Sequence, residues 1–255
     1  RNDGDIFTEV TKDAGILSNV LNFGLGIAVS DFSGDGLADL ILVGEWMPVR
    51  LFLNSGPTLE EITGQNWMPD SRGWWKSICS GDFDQDGDTD YLLGNLGLNF
   101  QIKPTPEEPA SIYANDFDNN GSLDAIMSYF IRGKNYPIYP KDDLGSQIPD
   151  INRRYPSYGS FADQTISDIF SEKELNNSLL LQANTFSSSY LENLGNNQFE
   201  LSDLPFSAQL SPVNSMRSDD YNNDGHPDVL LAGNFYGSRI QFGRLDANKG
   251  TFAYG

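Results

Sequence analysis

One nine-residue loop constrains this chain more than any other stretch: Asp82-Phe83-Asp84-Gln85-Asp86-Gly87-Asp88-Thr89-Asp90, followed at once by the apolar run Tyr91-Leu92-Leu93. Aspartates stand at positions 1, 3, 5 and 9 of the loop, with glycine at position 6. Carboxylates at alternate positions let hard oxygens converge on one cation, and glycine permits a turn that a Cβ would obstruct. The backbone carbonyl of position 7, Asp88, is expected to add a further oxygen. Without an ion these carboxylates repel one another, so a cation is what makes the loop compact.

The pattern occurs four times, with loops beginning at residues 31, 82, 116 and 220. The expected ligand sets are Asp31, Ser33, Asp35 and Asp39 with the carbonyl of Leu37; Asp82, Asp84, Asp86 and Asp90 with Asp88; Asp116, Asp118, Asn120 and Asp124 with Ser122; and Asp220, Asn222, Asp224 and Asp228 with His226. Ser33, Asn120 and Asn222 keep an oxygen at their positions but carry no charge. The prediction is up to four calcium ions, with magnesium admissible where the shell is compact and octahedral. An EF-hand is excluded, because position 12 is not Glu in any copy and β-rich runs replace the flanking helices.

A formal charge of -20, with 36 Asp and Glu against 16 Lys and Arg, disfavours nucleic acid or an anionic membrane as partner. No run is long and apolar enough to suggest direct insertion into a bilayer. The single cysteine, Cys79, precludes an internal disulfide and reads as a strand thiol. No basic-then-apolar leader is visible at the start, as expected of a mature secreted chain or of a piece of a longer one.

Around each loop the chain reads as strand, loop, strand, turn, strand. Asn/Gly turns followed by Phe, at Asn2–Phe7, Asn193–Phe199 and Asn248–Phe252, supply a last strand. The expected fold is all-β: four recognisable blades of four antiparallel strands forming a partial β-propeller over residues 1–255. The third and fourth loops are about twice as far apart as the first and second, which allows an insertion or a blade without a loop. Tyr158, Phe161, Ala162, Thr165, Ile166, Ile169 and Phe170 recur at helical spacing, and Ser171 with Glu174 makes a capping box. These signals favour a partly helical insertion over roughly residues 132–182, within the third blade.

The four loops resemble the cation loops of FG-GAP or VCBS repeats, as found in integrin α-chains. The phrase Asn2–Gly15 looks more narrowly like the bacterial UnbV and cartilage-acidic-protein-like branch. Leu96-Gly97-Leu98-Asn99, Tyr136-Pro137, Asp142-Asp143-Leu144, Leu204-Pro205 and Gln209–Val213 strengthen that likeness. The resemblance implies a propeller and an extracytoplasmic, secreted or cell-surface setting. It transfers no catalytic residue.

The functional expectation is a non-catalytic, calcium-stabilised module for adhesion, assembly or binding of a glycan or cell-surface protein, working with the remainder of a longer parent protein. A carbohydrate-active enzyme or catalytic accessory domain is the second reading. It is weakened because the paired carboxylates are already assigned to cation loops and the only histidine, His226, sits at a carbonyl-donating position. Partner binding is expected on the basic, tyrosine-rich insertion, with Tyr136, Arg153, Arg154, Tyr155 and Tyr158 as candidates. An internally packed lid is the competing reading of the same residues.

Overall fold

The computed structural model describes residues 8–14, 23–63, 70–239 and 242–255. The expected Asn2–Phe7 turn and strand lie outside them. The chain forms two compact units, one of Arg1–Gln101 with Phe186–Gly255 and one of Ile102–Thr185.

Every loop joins an antiparallel pair. β1 (Phe23–Ser30) enters the first loop and β2 (Asp39–Met47) leaves it, closing at Ser30↔Asp39. β3 (Arg50–Asn54) and β4 (Leu59–Glu61) extend that sheet, and β5 (Gly73–Trp74) pairs with the far end of β2. β6 (Ser77–Gly81) and β7 (Asp90–Gly94) flank the second loop.

The chain then builds β8 (Ala110–Asn115), the third loop, β9 (Asp124–Ile131) and β10 (Lys134–Pro137). Five short helices follow: α1 (Lys141–Gln147), α2 (Asp150–Arg154), α3 (Tyr158–Phe161), α4 (Ile166–Ile169) and α5 (Glu172–Asn176). β11 (Leu179–Ala183) completes a sheet of order β10-β9-β8-β11. Only then does β12 (Ser189–Asn193) pair with β7, at Ser189↔Leu93 through Leu191↔Tyr91, with β13 (Phe199–Asp203) beyond it. The Asn193–Phe199 turn therefore belongs to the sheet of the second loop. β14 (Ser215–Asp219), β15 (Asp228–Ala232) and β16 (Thr251–Ala253) form the last sheet around the fourth loop.

Side-chain alternation explains the packing of the first unit. Along β7, Tyr91 and Leu93 enter a core with Ile41, Val43, Leu51 and Trp75, while Leu92 faces Val213, Val229 and Leu231. Both faces are covered, so the strand reads as a continuous apolar run. Gly94 is required by close approach: a Cβ there would lie 2.3 Å from the Val213 carbonyl oxygen. At Gly233, just past the second strand of its sheet, a Cβ would lie 2.0 Å from the Pro212 carbonyl oxygen.

The expected all-β partial propeller is corrected here. Among the described residues the chain is a mixed helix-and-strand fold, with five helices and separate, open sheets that do not close. The helical residues do not merely decorate a blade. Leu144, Ile148, Ile151, Phe161, Ile166, Ile169 and Phe170 build the core of the second unit with Phe117 and Ile126. Capping boxes at Ser157 and Ser171 fix where the short helices begin.

Candidate cation loops and a basic groove

Three loops share one wiring scheme, and the second shares part of it. In the first, third and fourth loops, the position-1 carboxylates of Asp31, Asp116 and Asp220 accept the backbone N–H of position 5 at 3.0, 2.9 and 3.1 Å. Their second oxygens accept the glycine N–H of position 6 at 2.8, 2.9 and 3.0 Å. In all four loops the position-7 N–H, from Leu37, Asp88, Ser122 or His226, donates to the side-chain oxygen of position 5. The loop thus coils around its own side-chain oxygens, each of which retains lone-pair capacity for a cation.

Position 9 has a different duty. Asp39, Asp90, Asp124 and Asp228 are buried. One oxygen of each receives a backbone N–H near the loop's start, from Ser33, Phe83, Phe117 and Tyr221. The other oxygen of Asp39, Asp90 and Asp228 takes the N–H of Asn54, Asn193 and Gly255, the first two at the end of the adjoining strand and the third two residues beyond it. These aspartates fasten loop to sheet with hydrogen bonds to charge, the stronger class of such bonds.

Two loops bring three carboxylates together. One oxygen each from Asp82, Asp84 and Asp86 lie within 4.8 Å of one another, as do those of Asp116, Asp118 and Asp124. A cation at about 2.3–2.6 Å from each oxygen fits such a cluster, since opposed ligands then stand about 4.8 Å apart. Ser33 and Asn222 stand at position 3 of the other two loops, where a neutral oxygen replaces the carboxylate.

The second loop carries the largest electrostatic imbalance. Asp84 accepts only the Asp86 N–H within the loop, and Asp82 has no hydrogen bond or ion pair among the described residues. Burial, then the charges of Asp86 and Asp90, push Asp88 up to about 6, and its Oδ1 is shielded from solvent without a partner. Desolvation, then Asp84 and Asp90, also raises Glu192. Among the described residues, no Lys or Arg forms an ion pair with any loop carboxylate.

Position 4 was missed by sequence reasoning. Gly34, Gln85, Asn119 and Asn223 all adopt positive φ, at 74°, 64°, 57° and 60°. The signal was present in Gly and Asn, the residues that best tolerate this region. Gln85 is the exception, and its Nε2 lies 2.9 Å from the Gly225 carbonyl oxygen and 2.8 Å from His226 Nδ1, tying the second loop to the fourth.

Of the expected partner-binding residues, Tyr136 and Tyr158 line one groove of about 810 Å3 in the second unit. Arg153 instead pairs with Asp150 on its own helix. Arg154 binds Asp150 at 2.9 Å and donates to the Ile169 carbonyl at 2.7 Å. Tyr155 packs edge-on against Phe161 and donates to the Asp168 carbonyl. The groove's cations are Arg132, Lys134 and Lys141. Asn95 and Asn234, which follow Gly94 and Gly233, serve as buried or half-buried backbone staples.

A family model described as FG-GAP-like repeat matches residues 31–93, from the first loop through the strand after the second. The chain therefore carries a stretch similar to that repeat. A search of curated proteins gives no match. No helix among the described residues is long and apolar enough to cross a membrane.

Proposed function

We propose that this chain is a non-catalytic, calcium-stabilised repeat module of an extracytoplasmic protein, serving adhesion, assembly or the binding of a glycan or protein. The observation that carries the reading is the shared loop wiring, with hard oxygens converging at Asp82, Asp84 and Asp86 and at Asp116, Asp118 and Asp124 while no basic side chain among the described residues offsets them. Partly exposed sites with Ser or Asn among the ligands suit the weak affinities of extracellular calcium modules, about 10⁻⁴–10⁻³ M. The narrower likeness to the UnbV and cartilage-acidic-protein-like branch fits this setting, as does the net charge of -20, which repels nucleic acid.

On this reading the roughly 132–182 segment is an insertion in a repeat architecture, and its surface is where a partner binds. The test is calcium titration of the intact chain with thermal unfolding in calcium, magnesium and chelator. Calcium is expected to bind and raise Tm, with magnesium weaker. No binding and no chelator effect on Tm would overturn the proposal.

A further inference from the structure

We propose that the groove of the second unit binds an acidic saccharide, with Arg132, Lys134 and Lys141 reading its anionic groups and Tyr136 and Tyr158 supporting its ring faces. This deepens the binding-module reading and rests on it.

The groove, about 810 Å3, lies in the range that encloses small ligands. Three cations line it against one carboxylate, Asp163, in a chain whose net charge is -20. The side chains of Arg132 and Lys134, both exposed residues, form no ion pair or hydrogen bond among the described residues. Lys134 is near enough to Asp168 to contribute to its lowered pKa, behind the bonds from Thr165. Lys141 is held by Asn152 at 2.9 Å, with its ammonium 5.8 Å from the Tyr158 ring centre. Tyr158 is 67 % exposed, and its hydroxyl is fixed on Asp142 at 2.7 Å, so the ring is an oriented platform.

The hairpin between β9 and β10 adds a second argument. Ile131 pairs with Lys134, leaving Arg132 and Gly133 as the two turn residues, at φ 52° and 78°. A turn with both residues left-handed favours Asn-Gly, and an arginine there is strained by roughly 1 kcal/mol. The turn needs no guanidinium, and this one lines the groove without an ion pair among the described residues, although the Glu108 carboxylate lies beside the turn at Gly133. Guanidinium and ammonium groups beside tyrosine rings match a sugar whose faces are apolar and whose substituents are carboxylate or sulfate.

Equilibrium binding to the intact chain in saturating calcium tests this, using a uronate hexasaccharide, a sulfated hexasaccharide of equal charge, a neutral hexasaccharide and an oligonucleotide of equal charge. At least one acidic sugar is expected to bind, roughly tenfold or more tighter than the neutral one, with affinity falling as salt rises. The two acidic arms distinguish carboxylate from sulfate. Arg132→Asn should weaken binding roughly tenfold while leaving Tm unchanged or higher, because Asn suits the turn. Tyr158→Ala, at an exposed position, should also weaken binding. No binding of either acidic sugar, parental affinity in both variants, or equal binding of the neutral sugar or the oligonucleotide would overturn the proposal. Cleavage of a bound sugar would sink the non-catalytic reading and leave the groove assignment standing. Loss of calcium binding without loss of sugar affinity would separate the two in the other direction.

Discussion

The aspartates of one loop divide into two kinds, and substitution separates them. Asp90 accepts from Phe83, Asn193 and the Tyr190 hydroxyl at 3.2, 2.9 and 2.7 Å with no exposure to solvent. Asp90→Ala strands those donors and should destabilise the fold by about 3 kcal/mol even in chelator, read by urea unfolding. Asp82→Asn removes a carboxylate with no protein partner. It should leave chelator stability within about 0.5 kcal/mol of the parent while abolishing that loop's calcium response. Asp88 gives the pH test: in the calcium-free fold its carboxyl sits near 6 rather than the usual 3.8, so the folded state holds this proton more tightly than the unfolded state. Its contribution is most favourable below the unfolded value and is lost as pH rises through about 6. In chelator, Asp88→Asn should therefore be more stable than the parent at neutral pH, and the gap in Tm should close towards pH 4; a constant gap would contradict the assignment.

At the scale of elements, the sequence was informative wherever local chemistry decided the outcome. β1, β2, β7, β9 and β15 fall where apolar runs flank the loops, and the Ser171–Glu174 capping box forms as its spacing predicts, with Glu174 Oε2 taking the Ser171 N–H at 2.7 Å. Ser171→Ala should cost about 1 kcal/mol of stability in the second unit, measured by its unfolding transition. Gly94→Ala should cost about 2 kcal/mol or more, because the new methyl meets the Val213 carbonyl and Ser77 Oγ at 2.3 Å. The fourfold repeat of the loops and their glycine at position 6 were legible from spacing, whereas the N–H bonds accepted by the side chains of positions 1 and 5 were not part of that reading. The groove was not: Arg132 and Tyr158 are 26 residues apart and share it only because the hairpin and α3 fold around the same space. Arg154 and Tyr155 looked like surface recognition residues, yet their polar ends satisfy helix-end carbonyls, a use that residue type cannot reveal.

For the whole molecule, repetition suggested one uniform architecture, and long-range pairing overruled it. That β7 waits for β12, with a sheet and five helices in between, is a choice among similar strands that local propensity does not encode. The resulting division makes cation stoichiometry measurable by stability. The loops at 31–39, 82–90 and 220–228 lie in the first unit and the loop at 116–124 in the second. Each ion that binds only the folded state adds about 1.4 kcal/mol of stability per tenfold rise in free calcium above its Kd. If only the two three-carboxylate clusters fill, each unit should gain stability at that single-ion slope. If all four loops fill, the first unit should rise three times as steeply as the second. Urea unfolding across a calcium series, followed by one probe in each unit, reads the slopes directly: tryptophan fluorescence serves the first, where all four tryptophans fall in the sequence, and helical circular dichroism serves the second, since the five α-helices of the described residues lie there. Asp116→Asn should flatten the second unit's slope and leave the first unit's unchanged. A flat response in both units would remove calcium from the account of this fold, and a first-unit slope that persists after Asp82→Asn would show that the neutral oxygens of Ser33 and Asn222 suffice to hold an ion.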